Sequence, residues 1–426
     1  MKLKKLISGV LASLTAISSI PFSSVGVIAS ASDEEKDIWD GTTDTSWYDS
    51  EETEFHISTP EELAGLAELV NNGKSMSGQT FVLDNDIYLN DVSDFENWSD
   101  TAPENVWTPI GTSYTYYFSG IFNGSGFSIE GLYISGNNYQ YSGLFGYTTD
   151  SSEINNTNTK YECINNRYLK GFAFSGGITA YSNGKISNCS TDAISIVKSY
   201  SPSAYSYGGG VAGYSTAEIN NCTNSGTIIS SSSSFPYGGG IAGISKAKIN
   251  NCKNNGSVTS FYGGGISGRS TAEINNCTNN GSITSSNNGG GIAGISEDKI
   301  SNCTNNGSIT SSYDYSDGGG IAGYSTAEIS NCANNGTVTS SSNISSCGGG
   351  IVGFSTAKIN NCANNGTINS SFYAGGIVGK CSAEKITISN VYNTGDVSAK
   401  DYKGGIVGYN YMYNSSCKVT ITIAIP

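Results

Sequence analysis

Arginine is almost missing from this 426-residue chain: only Arg167 and Arg269 occur. Guanidinium clusters that would grip phosphate are therefore excluded. With Lys+Arg at 21 against Asp+Glu at 35, the formal charge is -14, which repels nucleic acid and anionic membrane. Histidine occurs once, as His56, so a Ser-His-Asp or Cys-His centre has one place to form, and an edge polar residue is the simpler account. No C-x2-C pair is present, which removes the usual zinc clusters. No Asp-Asp pair occurs and the repeated stretches carry few acids, which speaks against carboxylate-based glycoside chemistry. Asp84 and Asp86 could face a calcium ion, but alternate outward positions on a strand explain them as well. No cofactor is expected.

Apolar runs are also scarce. The first residues carry Lys2, Lys4 and Lys5, an apolar stretch and the small-residue site Ala29-Ser30-Ala31. Residues 1–31 thus read as a secretory signal peptide, and the protein as secreted and extracellular or attached to the cell surface. Loss of those lysines takes the formal charge from -14 to -17. No later stretch is long and apolar enough to span a bilayer as a helix. Residues 32–53 are acidic and read as a structureless linker.

What fills the chain instead is glycine, 55 of them, with Ser, Thr, Asn and 27 tyrosines, arranged as a repeat. Closing glycines of GGGIAG-like strings fall at Gly213, Gly243, Gly268, Gly294, Gly323, Gly353, Gly379 and Gly408; Gly146 and Ala180 extend the series backwards. Spacings vary from 25 to 34, but closing glycine to cysteine is nine residues in nearly every copy. All length change falls after strings such as SITS and before the next GGG, so each copy has one variable corner. Three apolar-bearing pieces per copy, GGIAG, AEINNC and GSITS, predict three short strands separated by Asn/Gly turns. Nothing in the repeats has a helix-length period. A leucine-rich horseshoe shares the repeat length but needs a longer apolar second half. The pattern predicts an all-β fold, a parallel β-helix (β-solenoid) of about ten coils over 141–426. Right-handedness is expected from the general preference for crossover connections.

Residues 54–140 read as an N-terminal cap and first irregular coils. FHISTPEELAGLAELVNNG predicts a helix with Ser58 or Thr59 as N-cap, Pro60 in the first turn, and Leu63, Leu66, Ala67 and Val70 on one face. TFVLDNDIYL and WTPIGT read as strands that follow it.

Three columns run through the repeats. The residue before each core isoleucine is Glu153, Lys185, Glu218, Lys248, Glu273, Lys299, Glu328 and Lys358, alternating in sign without an error. Opposite charges in register on adjacent strands attract and like charges repel, so the alternation predicts coils stacked in register. Cys189, Cys222, Cys252, Cys277, Cys303, Cys332, Cys362 and Cys417 form a second column, in which Val391 takes one place. Exchange with valine predicts small inward apolar positions holding reduced thiols, and parallel Cβ vectors suit disulfides poorly. The pairing of Cys163, Cys347 and Cys381 stays open. Third, Tyr207, Tyr237, Tyr262, Tyr373 and Tyr402 precede the glycine runs, with Phe235, Phe261 and Phe372 in the adjacent corners. An exposed row of this kind suits stacking against a sugar; tyrosines packed over glycines at a corner would look the same in sequence.

SGLFGY at 142–147, the frame of GGIVG, INNC and NNG seen whole from Gly349 to Ile368, and the segment ISTPEELAGLAELVNNGKSMSGQTFVLDNDIYLN together resemble the GLUG-motif repeat family of bacterial secreted and surface proteins. The resemblance covers nearly all of 54–418. Members occur in adhesin-like proteins and as accessory regions of large surface proteases. It implies a right-handed β-solenoid, an extracellular place and no catalytic residues. The expected role is adhesin-like: a non-enzymatic protein binding an extracellular glycan or protein ligand through its variable corners. A β-helix polysaccharide lyase or hydrolase, and a structural spacer of the cell surface, are the alternatives.

Overall fold

The computed structural model describes residues 36–136, 138–342, 344–382, 385–411 and 418–423. The fold is that of the second of two units, 37–426; the first, 1–36, holds a single described residue. The proposed signal peptide, 1–31, and Cys417 lie outside the described residues.

The chain is an all-β parallel solenoid, and every printed pairing runs between equivalent strands of neighbouring coils. One coil shows the plan. Its strands are Tyr262–Gly264 (sheet I), Ser267–Ser270 (sheet II), Ile274–Asn275 (sheet III), Thr278–Asn279 (sheet IV) and Ile283–Ser285 (sheet V). Sheets I, II and V each have ten strands. Five strands replace the three expected, for a local reason. Asn276 sits at φ 53 and splits INNC into two strands, and equivalent asparagines from Asn156 to Asn361 do the same, while Asn390, also at φ 53, lies within the single strand Lys385–Asn393. Asn tolerates this left-handed geometry because its short amide bonds locally. The GGGISG piece turns between Gly264 and Ser267.

Each coil points Ile266, Ile274, Cys277 and Ile283 into a dry interior, all at most 1% exposed. Burying each isoleucine contributes roughly 1.5–3 kcal/mol relative to leaving it in water. Between these apolar columns runs a polar one that the sequence reading took for turn residues. Asn224, Asn254, Asn279, Asn305, Asn334 and Asn364 are fully buried. Each Nδ2 donates to the Oδ1 of the next coil's asparagine, at 2.6–2.8 Å, the last reaching Asn393. Each also donates to the carbonyl two residues on, as Asn279 does to Gly281 at 2.8 Å. A buried amide with its partners satisfied avoids the desolvation penalty and fixes register. The third glycine of GGG makes room for it: a Cβ on Gly265 would lie 2.4 Å from Cγ of Asn279 and 2.1 Å from the carbonyl oxygen of Gly291.

The charge column has the expected register. Lys185 pairs with Glu153, and the backbone N–H of Ile249 donates to the carbonyl of Glu273 while that of Ile274 donates to Lys299. Among the described residues two of the seven steps close as ion pairs, Lys248–Glu273 at 3.0 Å and Lys358–Glu328 at 3.4 Å. The Lys248 ammonium, with a hydrogen bond from Ser301, holds the Glu273 carboxyl below its ordinary range. The side chains are about one-third exposed or more, so each pair contributes at most about 1 kcal/mol.

The helix spans Pro60–Asn71, with Thr59 and Glu62 forming a reciprocal capping box and Pro60 opening it. Leu63, Leu66, Ala67 and Val70 are buried and belong to the same continuous core as Phe55, Phe81 and Phe118. TFVLDNDIYL forms the strands Thr80–Leu83 and Ile87–Tyr88, but WTPIGT contributes a single bridge, Ile110 to Phe145. Residues 36–53 are not the structureless linker expected. Trp47 packs edge-on against Phe55 at 5.4 Å, Trp39 against Trp107 at 5.9 Å, and Asp44 N–H donates to the Glu61 carbonyl. Three aromatic anchors, Trp39, Trp47 and Tyr48, outweigh the acidic composition that suggested disorder.

Candidate ligand-binding face

The variable corner lies between sheets V and I. Seven of the ten exposed large apolar side chains between residues 141 and 411 sit there: Leu169, Phe172, Tyr205, Phe235, Tyr313, Tyr315 and Ile344. Rings touch from one corner to the next, Phe172 to Tyr205 at 6.0 Å and Phe235 to Phe261 at 5.1 Å, and across the short corner at 286–288, Phe261 to Tyr313 at 5.9 Å.

The tyrosines of the sequence-derived row stand on the outer side of sheet I. Tyr207 stacks on Tyr237 at 5.9 Å and Tyr237 on Tyr262 at 4.9 Å; Tyr373 stacks on Tyr402 at 5.7 Å, with Phe372 6.3 Å from Tyr373. The row is not uniformly exposed. Tyr237 is 9% exposed, Tyr207, Tyr262 and Tyr373 are half-buried, and Tyr402 is 53% exposed. Both sequence accounts therefore hold in part: the rings pack as a ladder, and their rims and the corner phenylalanines meet solvent.

A second ladder, missed in the sequence, explains that burial. The residue after each closing glycine points outward from sheet II: Tyr147, Tyr181, Tyr214, Ile244, Arg269, Ile295, Tyr324, Phe354, Lys380 and Tyr409. The outward rings of sheets I and II touch each other, Phe174 to Tyr181 at 5.4 Å, Tyr207 to Tyr214 at 6.0 Å and Tyr373 to Tyr409 at 4.8 Å. Outward side chains from neighbouring sheets can meet only if the sheets enclose a re-entrant angle. This corner is a groove running along the stack. Burial there pushes the Tyr141 and Tyr181 phenols up to about 12. The signal was available, since an aromatic follows the closing residue in six of the ten copies.

The described members of the cysteine column are buried free thiols, as are Cys163, Cys347 and Cys381. Each column thiol donates to the carbonyl two residues earlier, Cys252 to Asn250 at 3.1 Å and Cys277 to Asn275 at 3.2 Å. Burial pushes Cys189 and Cys303 up, keeping them protonated. Asp84 and Asp86 are drawn to separate partners: Asp84 contacts His56 at 2.9 Å, and Asp86 accepts from Ser128 N–H at 2.7 Å. His56 lies on the exposed first strand, its pKa raised by the Asp84 hydrogen bond.

Two further acids escaped the sequence reading. Glu162 is fully buried beside Gly177, and neither carboxyl oxygen closes a hydrogen bond although Thr159 lies toward it; burial pushes its pKa up to about 8. Asp317 occupies a place in the sheet I column where most coils carry an aromatic ring, beside the Cys347 thiol. Although part of it meets solvent, its surroundings push the carboxyl up.

No protein-family model and no curated protein matches the chain. Among solved structures the chain is similar to a candidate immunoglobulin A1 protease from Bacteroides ovatus, at 19% identity and a TM-score of 0.44, covering 62% of this chain and 77% of that one. At that score the likeness carries no argument about chemistry.

Proposed function

We propose that this is a non-catalytic, secreted or surface-held member of the GLUG-motif type, adhesin-like in binding an extracellular glycan or protein ligand. In this reading the solenoid is right-handed, with about ten coils, and the helix Pro60–Asn71 with residues 36–53 covers its N-terminal end. The observation that carries the reading is the concentration of exposed rings, such as Phe235, Tyr313 and Tyr315, in the one corner free to change length. Rings exposed in a row away from the core lose apolar contact that a ligand would restore. The fixed frame beneath them, with its asparagine ladder, supplies a rigid platform that binding need not order.

The test is binding of the purified mature chain to arrays of glycans, mucins and matrix proteins, alongside an assay for released reducing sugar. Binding weakened by Phe235→Ala and Tyr315→Ala supports the reading. Sugar release abolished by a single Asp or Glu substitution would replace it with a polysaccharide-active enzyme. Neither binding nor release would leave a spacer.

A further inference from the structure

The groove between sheets I and II is not uniform, and its one break has the character of a site. In sheet I the outward column runs Tyr207, Tyr237, Tyr262, then Asn288, Asp317 and Cys347, then Tyr373 and Tyr402. Over three successive coils a ring is replaced by a short side chain. At ~4.8 Å per coil, the rings of Tyr262 and Tyr373 bound a recess four steps long, roughly 19 Å between their planes.

The walls of this recess are chemically mixed. On the sheet II side the wall is Ile295 followed by Tyr324 and Phe354, whose rings stack at 5.4 Å with an interplanar angle of 20°. At one end Arg269 is held by Glu297 through Nε at 2.8 Å. At the other, Lys380 lies over Phe354 at 5.6 Å and Tyr373 at 5.8 Å. Both cations are thus engaged, and Asp317 closes no ion pair among the described residues. Its partly exposed carboxyl forms the polar floor, between Asn288 and Cys347, which are 8% and 3% exposed. From the corner just before Asp317 stand Tyr313 and Tyr315, 56% and 64% exposed.

We propose that this recess binds a short stretch of neutral oligosaccharide. The proposal rests on the glycan form of the reading above and gives it a place. Sugar rings present C–H faces to aromatic walls and hydroxyls to a carboxylate, and this recess offers those surfaces together. Arg269 is neutralised by Glu297, and although Lys380 keeps its charge over the rings at the far end, the Asp317 carboxyl in the middle of the recess repels an acidic sugar. A peptide strand would want an open sheet edge, and both flanking sheets are paired from coil to coil through this stretch.

Filling the recess is the direct test. Asp317→Tyr and Cys347→Tyr restore the residue that other coils carry at this position, so the column itself shows that the fold accepts it. An array of neutral glucan, mannan, galactan and N-acetylglucosamine oligosaccharides identifies a bound chain, and titration calorimetry gives its affinity. Each filled variant is expected to weaken binding at least tenfold with an unchanged circular dichroism spectrum. Asp317→Asn, nearly the same shape, is expected to weaken it severalfold and keeps the test valid should a filled variant misfold. Unchanged affinity in filled, folded variants overturns the recess while wild-type glycan binding leaves the wider reading standing. Binding to matrix proteins alone overturns the sugar assignment. No binding to either panel ends both.

Discussion

Asn279 and Asn280 are neighbours of identical chemistry, and removing them should have very unequal consequences. Asn279 is fully buried; its Nδ2 donates to Gly281 and Asn305, both at 2.8 Å, and its Oδ1 accepts from Asn254 at 2.8 Å. In Asn279→Ala, Asn254 keeps its bond to the Gly256 carbonyl and Asn305 keeps the Gly307 N–H. The Gly281 carbonyl is left stranded. Three lost bonds at about 1 kcal/mol each, plus about 1–2 kcal/mol for the stranded acceptor, give about 4–5 kcal/mol. Asn280 makes a ladder of its own, donating to Asn255 at 2.8 Å and accepting from Asn306 at 2.8 Å, but in water. Asn280→Ala should cost within about 0.5 kcal/mol of nothing. Asn279→Asp separates bonding from packing, because it keeps the shape yet cannot donate to Gly281 or Asn305. It should cost at least as much as the alanine. Urea midpoints give the ranking. Hydrogen exchange locates the loss, which should centre on the coils around residue 279 because each coil touches only its neighbours. Equal midpoints for the alanine variants at 279 and 280 would refute the ladder as a source of stability.

Other consequences can be checked on the same material. Asn276→Gly should be nearly neutral and Asn276→Val should lower the melting temperature, since φ 53 costs a branched residue about 1–2 kcal/mol. Glu273→Lys stacks three lysines in register and should destabilise by about 0.2–1 kcal/mol per new contact at low salt, less at high salt, as read by thermal melting in both. The ten described cysteines should resist alkylation until the chain is unfolded, with the intact mass read before and after denaturation. Glu162 binds its proton more tightly folded than unfolded, its pKa rising from 4.5 to about 8, so stability is full below about pH 4.5 and lost as pH rises toward 8. Glu162→Gln should flatten that decline in urea midpoints measured across the range; an unchanged slope would show that Glu162 is not its source.

Much of the scaffold was legible because it repeats. Register could be read from the Glu/Lys alternation, and the inward place of the cysteines from Val391, which is fully buried. What could not be read was the fate of each asparagine. In INNCTNNG, Asn275 lies half-buried on a strand, Asn276 turns the chain at positive φ, Asn279 is sealed in the core and Asn280 faces water. One letter serves four environments because an amide can cap, turn or ladder, and only the neighbouring coil decides which. The same limit hid the groove. The aromatic column of sheet I was visible, but its burial depends on the angle to sheet II, which no single copy encodes. Residues 36–53 were misjudged because counting acids gives no weight to where Trp39 and Trp47 reach.

The inward columns and the outward ones carry different constraints, and this separation gives the binding proposal its force. Exchanging Asn279 or Gly265 disturbs partners in two adjacent coils, whereas the outward position of sheet I already accommodates tyrosine, phenylalanine, asparagine, aspartate and cysteine in successive copies. The backbone ladder continues through all of them. An outward column can therefore vary without loss of the coil, each copy adding one side chain at a fixed pitch to a surface of arbitrary sequence. Because Asp317 and Cys347 lie in that permissive column, changing them alters the surface and leaves the ladders intact. A loss of binding there would report on the recess rather than on folding.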